Sequence, residues 1–114
     1  MEALEMTLLF DYYGDLLTER QRACLDLRYN QDLALGESAL ELGGSRQGVY
    51  VNLSRAEALL RHMEEKTGFV RRAMAVRKAA GQIRSLAQTL QSHPDETVSA
   101  QASRILEAVQ AFEE

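Results

Sequence analysis

A chain of 114 residues with 46% hydrophobic content and a formal net charge of −4 has room for one domain, or one with an appended element. One Pro, seven Gly and 6% aromatic residues favour an all-α fold. No stretch reaches the roughly 20 apolar residues of a membrane span, and Glu2 and Glu5 with no early basic residue read against a signal peptide, so the expected class is a small cytoplasmic protein.

Taken in chain order, the pattern predicts six helices. The first spans about residues 3–13, with Leu4, Leu8, Leu9 and Tyr12 at helical spacing and Gly14 as a left-handed cap. The second opens with a capping box, Thr18 at the N-cap and Gln21 three residues on, and Leu17 ahead of it as a staple. Leu25, Leu27 and Tyr29 face a core, and "NQD" at 30–32 breaks the helix. The third is short, 35–42, and stops at Gly43. The fourth takes Ser45 as its N-cap and runs to about Thr67, with Val49, Leu53, Ala56, Leu60 and Met63 as its buried stripe and Gly68 as its stop.

Beyond Gly68 the spacing changes. Phe69, Ala73, Val76, Ala80, Ile83, Ala87 and Leu90 alternate at intervals of four and three, and Val98, Ala102, Ile105, Val109 and Phe112 do the same. That is the seam of a coiled-coil-like helical hairpin. Pro94, in "SHPDE", suits a first helical turn, and Asp95 and Glu96 suit the positive end of the sixth helix. The expected organisation is therefore a domain over 1–68 and a hairpin over 69–114. With so much Ala, and with Gly81 inside it, the hairpin needs a second surface to pack against.

Charge is polarised along the chain. Residues 1–19 hold Glu2, Glu5, Asp11, Asp15 and Glu19 with no Lys or Arg, whereas 66–84 hold Lys66, Arg71, Arg72, Arg77, Lys78 and Arg84 with no acid. The sixth helix offers only Asp95, Glu96, Glu107, Glu113 and Glu114, mostly at its ends, which leaves Arg71, Arg72, Arg77, Lys78 and Arg84 as a basic face without a partner in the hairpin. Either the acidic first helix, in the same chain or across a homodimer, or RNA phosphate would complement it.

No catalytic constellation is visible. His62 and His93 lie on different elements, and Glu64 and Glu65 are adjacent and share no helix face. The lone Cys24 cannot form an internal disulfide and sits among apolar positions, as a small core residue does. No enzyme activity, cofactor, metal or small-molecule substrate is expected.

A short helix, a glycine at the corner and a longer helix capped by Ser with Val four positions on form the helix-turn-helix arrangement. Ala39 is small where the second helix passes close, Gly43 supplies positive φ, and Val49 plugs the angle between the helices. The early exposed positions of the fourth helix, Ser45, Arg46, Gln47 and Tyr50, would then meet bases. Arg46 can pair bidentately with guanine and Gln47 with adenine. Arg20, Arg22 and Arg55 are the candidate phosphate contacts.

The stretch "LTERQRACLDLRYNQDLALGESALELGGSRQGVYVNLSRAEALL" resembles the C-terminal promoter-reading region of bacterial sigma factors. With "LLFDYYGDLLTERQR" ahead of it and "RHMEEKTG" behind, it resembles more specifically the YlxM family of small bacterial helix-turn-helix proteins. The likeness runs over roughly 4–70 and is most specific at 8–14, 17–21 and 45–50. It implies a mostly helical fold, a regulatory or signal-recognition-particle-linked role, and homodimers. The chain departs from the family pattern at Ser38 and Gly44, usually aliphatic, and at Val51, usually acidic. The first two thin the packing of the motif, and the third removes a charge from the face toward a groove. Three classes of function follow: a DNA-binding regulator using the fourth helix, an accessory that contacts signal recognition particle RNA or protein through the basic face, and a protein-interaction dimer that keeps the helix-turn-helix shape alone.

Overall fold

The computed structural model describes residues 2–113. Glu114, counted among the acids of the sixth helix, lies outside the described residues, and so does the side chain of Glu2. The fold is all-α, with no strand among the described residues. Its helices are α1 (Glu2–Tyr13), α2 (Glu19–Leu25), α3 (Leu35–Leu42), α4 (Arg46–Thr67), α5 (Phe69–Gln91) and α6 (Glu96–Val109). Short 3₁₀ turns follow α1 at Gly14–Leu16 and α6 at Gln110–Phe112, and α2 runs on into a π-helical turn at Asp26–Asn30. The chain divides into two compact units, Met1–Val70 and Arg71–Glu114.

Local capping chemistry sets the boundaries in the first unit. Thr18 Oγ1 accepts from the Gln21 amide at 3.1 Å while Gln21 Oε1 accepts from the Thr18 amide at 3.1 Å, the reciprocal box that starts α2. Position N4 of that helix is Arg22, so the buried Leu17 anchors in the core with no staple partner. In the π turn the Gln31 amide donates to the Asp26 carbonyl at 3.0 Å, and the Asn30 and Gln31 side-chain amides both donate to the Asp26 carboxylate at 2.8 Å. Asp32 then takes φ +55°, which an Asp tolerates better than most side chains, and the helix ends there. Gly43 closes α3 at φ +74° and Gly68 closes α4 at φ +60°, where a Cβ would be strained.

Helix α4 is the spine of this unit and packs against α1, α2 and α3. Its Val49, Leu53, Ala56 and Leu60 are buried as the spacing predicts, together with Met6, Leu9, Leu25, Leu27 and Ala39 from the elements around it. Met63 is only half-buried. Tyr13 ties the far end together: its hydroxyl lies 2.7 Å from Glu64 Oε1 and 2.6 Å from Thr67 Oγ1, and Glu64 Oε1 also accepts from the Val70 amide at the start of α5. The rings of Tyr12 and Phe69 meet edge-on at 5.7 Å.

Three local readings are corrected. The buried face of α1 is Met6, Leu9 and Tyr13, whereas Leu4 is exposed and Leu8 and Tyr12 are half-buried. Gly14 is not a left-handed cap; it begins a 3₁₀ turn, and it is small because a Cβ there would come within 3.0 Å of the Phe10 ring. Pro94 lies outside α6, whose N-cap is Asp95, with its carboxylate accepting from the Thr97 amide at 2.8 Å.

In the second unit, Gln91 Nε2 donates to Ser103 Oγ at 3.1 Å and Ser99 Oγ donates to the Gln91 carbonyl at 2.8 Å, which joins the end of α5 to α6. Ala80, Ala87, Ala102 and Val109 are buried. The larger seam residues are not: Val76, Ile83, Leu90 and Ile105 stand about half exposed and Phe112 is 60% exposed. The buried positions of this unit carry Ala or Val, and the bulkier side chains of the spacing are left largely exposed. The segment that follows α6 does reach one basic residue, because Arg84 forms an ion pair with Glu113, just past the 3₁₀ turn.

Candidate helix-turn-helix interface

The corner between α3 and α4 is built from backbone geometry. With Gly43 left-handed, its amide and that of Gly44 both donate to the Ala39 carbonyl, at 2.9 and 3.1 Å, so two donors satisfy one orphan acceptor of α3. Ser45 then caps α4 by accepting from the Gly48 amide at 2.9 Å. The Ser45 hydroxyl is therefore held at the helix start, and the positions that follow it are aimed by the cap.

Those positions come together. Arg46, Gln47 and Tyr50 are exposed and line one shallow cleft of about 440 Å³ with Leu35 from the start of α3. Tyr50 is 52% exposed. Arg55 is exposed further along α4. Arg22 lies 3.7 Å from Asp15, an exposed pair that adds little to stability.

Arg20 sits across the corner. Its Nη1 donates to the Leu42 carbonyl at 3.3 Å, the last residue of α3, and a Cβ on Gly44 would come within 2.7 Å of its Nη2. A cation at a helix C-terminus is placed favourably toward the helix dipole. Gly44 is exposed, so its lack of a side chain empties no core; it leaves room for this guanidinium. Ser38, by contrast, is 2% exposed and does sit within the packing. Val51 is half-buried.

Of the basic face in the second unit, Arg72, Arg77 and Lys78 are exposed and Arg84 is held by Glu113. Arg71 is exposed and has a partner. Lys78 borders a groove of about 640 Å³ with Gly81, Gln82, Ser85 and Leu86.

Sequence reasoning missed the pairing of Tyr29 with Glu57, whose carboxylate Oε2 accepts from the phenol. Burial first, and this hydrogen bond second, push the Tyr29 hydroxyl up to about 12, so it stays a donor at neutral pH. The residues are 28 apart in sequence, and no local spacing rule joins them. Cys24 is buried, and burial raises its thiol above the usual range, which suits a core residue and not a nucleophile. Among the described residues no cluster of His, Cys, Asp or Glu could hold a metal ion, and no helix is long and apolar enough to cross a membrane.

Comparison with known proteins places this geometry in a family. Residues 1–100 match the model of the UPF0122 family, described as "Putative helix-turn-helix protein, YlxM / p13 like". A UPF0122 protein of Acetivibrio thermocellus is 42% identical over 106 residues, 93% of this chain and 88% of the relative. One from Bacillus cereus strain AH187 is 34% identical over 108 residues, 95% of this chain and 94% of the relative. One from Thermoanaerobacter sp. strain X514 is 52% identical over 69 residues, 60% of this chain and 59% of the relative. A corner closed by Gly43, a second helix capped by Ser45 and a match over 100 residues converge: the chain belongs to the UPF0122, or YlxM / p13-like, helix-turn-helix family.

Proposed function

We propose that the chain is a regulatory protein that binds duplex DNA through the start of α4. The observation that supports this reading is the grouping of Arg46, Gln47 and Tyr50, exposed side by side immediately after the capped corner. In a helix-turn-helix the N-terminal residues of the second helix are the ones that reach base edges in the major groove. Arg46 offers the fork that matches guanine, Gln47 the donor–acceptor pair that matches adenine. Arg22 and Arg55 are the phosphate contacts. Arg20 serves first to hold the corner.

Full-length protein is titrated with a pool of duplex DNA at two salt concentrations. Arg46→Ala should weaken specific binding by about 1–3 kcal/mol and shift stability by less than about 0.5 kcal/mol. Unchanged affinity would remove direct readout by α4. The family resemblance implies a link to the signal recognition particle, so its RNA is the second ligand to titrate. Binding to that RNA that survives Arg46→Ala and collapses with salt would move the function to Arg71, Arg72, Arg77 and Lys78.

The half-exposed row of Val76, Ile83, Leu90, Ile105 and Phe112 favours a second reading within the first, that the hairpin is where two copies meet. Val76, Ala79, Ala80, Ile83 and Phe112 enclose an apolar recess of about 240 Å³. A dimer would place two α4 helices for paired half-sites. Sedimentation of full-length Ile83→Asp should then give a monomer, because a charge in a covered apolar seam costs several kcal/mol. An Ile83→Asp dimer indistinguishable from the wild type would put the interface elsewhere.

A further inference from the structure

Beside the cleft at Arg46 and Gln47 lies a second one, of about 450 Å³, lined by Arg28, Tyr29, Ala34, Leu35, Tyr50, Leu53 and Glu57. The two clefts share Leu35 and Tyr50. The second is therefore continuous with the surface read above as the nucleic-acid contact. Its volume is within the range of small-ligand sites, and its residues are of three kinds. Two tyrosine rings and Leu35 and Leu53 supply flat or apolar wall. Arg28 is exposed, with its guanidinium 5.9 Å from the Tyr29 ring centre. Glu57 supplies a carboxylate, of which Oε2 holds the Tyr29 hydroxyl.

We propose that this cleft is a pocket for an unstacked guanine base, presented by the nucleic acid that α4 holds. The chemistry selects both the class and the base. Aromatic and apolar walls favour a planar ring, since any base can stack on them. A carboxylate can only accept hydrogen bonds. Guanine alone among the four bases presents two adjacent donors on its pairing edge, N1–H and N2–H, and these match the two oxygens of Glu57. Adenine and cytosine each set an acceptor beside one donor, and thymine flanks its one donor with carbonyls. Oε2 keeps a lone pair for the base because the Tyr29 hydroxyl uses one of its two. Arg28 stands where it can meet the phosphate or stack on the base, and its exposed contact with Asp32 at 3.8 Å is weak enough to yield.

The inference rests on α4 contacting nucleic acid, and the experiment separates the two claims. Full-length protein is titrated with labelled DNA hairpins of one sequence, carrying in the stem no unpaired residue, one unpaired guanine, or one unpaired adenine. The guanine-bulged hairpin should bind at least about tenfold more tightly than the paired one, and the adenine-bulged one should not. Glu57→Gln keeps an acceptor for Tyr29 and sets an amide donor against the guanine donors. It should abolish the guanine advantage while leaving affinity for the paired hairpin and the melting temperature unchanged. Equal binding of all three hairpins, or a guanine advantage that survives Glu57→Gln, overturns the pocket and leaves the duplex reading standing. Failure of every hairpin to bind overturns both. GMP is added as competitor: displacement of the bulged hairpin at GMP concentrations near that hairpin's own Kd would assign the pocket to a free nucleotide and overturn delivery by nucleic acid.

Discussion

Leu60→Ala is expected to lower the unfolding free energy by about 2–5 kcal/mol, read as a fall in the urea midpoint with little change in slope. Leu60 is 0% exposed in the second half of α4, a helix that α1 and α2 pack against. Removing its branched end leaves a hole that fixed helices on several sides cannot close. Ile83→Ala, with 44% of the side chain's residue exposed, should cost no more than about 1 kcal/mol. Similar losses at the two sites would mean that the hairpin carries as much of the core as α4 does.

Gly43→Val should destabilise the protein by about 1–3 kcal/mol, read in a thermal melt. At φ +74° a β-branched side chain clashes with its own backbone. Nothing lies within 4 Å of a Cβ built there, so the penalty comes from conformation alone. Gly43→Asn should therefore cost clearly less, because Asn tolerates the left-handed region. Equal losses for Val and Asn would show that side-chain volume, and not backbone conformation, governs the corner. The same corner sets where α4 begins, and with it the placement of Arg46, Gln47 and Tyr50.

Helix ends were the most legible part of the sequence. Thr18 with Gln21, Gly43, Ser45 and Gly68 each carry a signal within three or four residues, and each closes or opens a helix where its chemistry says. The buried face of α1 was not legible for a physical reason. Leu4, Met6, Leu8, Leu9, Phe10, Tyr12 and Tyr13 surround the helix, so spacing alone selects no face, and the choice is made by contact with α4 and the π turn. The hairpin seam was readable as a spacing, but its burial was not: Ile83 and Phe112 stand exposed although they sit at its seam positions. The candidate interface could be read from its motif, as closely spaced positions in the first turns of one helix. Arg20 was harder, because its bond to Leu42 crosses 22 residues, and the Tyr29–Glu57 pair crosses 28. Side chains that meet only through tertiary packing leave no period in the sequence.

The central claim is that α4 is the surface that meets nucleic acid, and amide chemical-shift mapping of the full-length protein during a titration with duplex DNA tests it most directly. Shifts are expected to concentrate at residues 43–52 and at Arg22, with Arg46, Gln47 and Tyr50 among the largest, and to leave 71–84 nearly unmoved. Shifts confined to 71–84, or no shifts at any DNA concentration that keeps the protein folded, would contradict it.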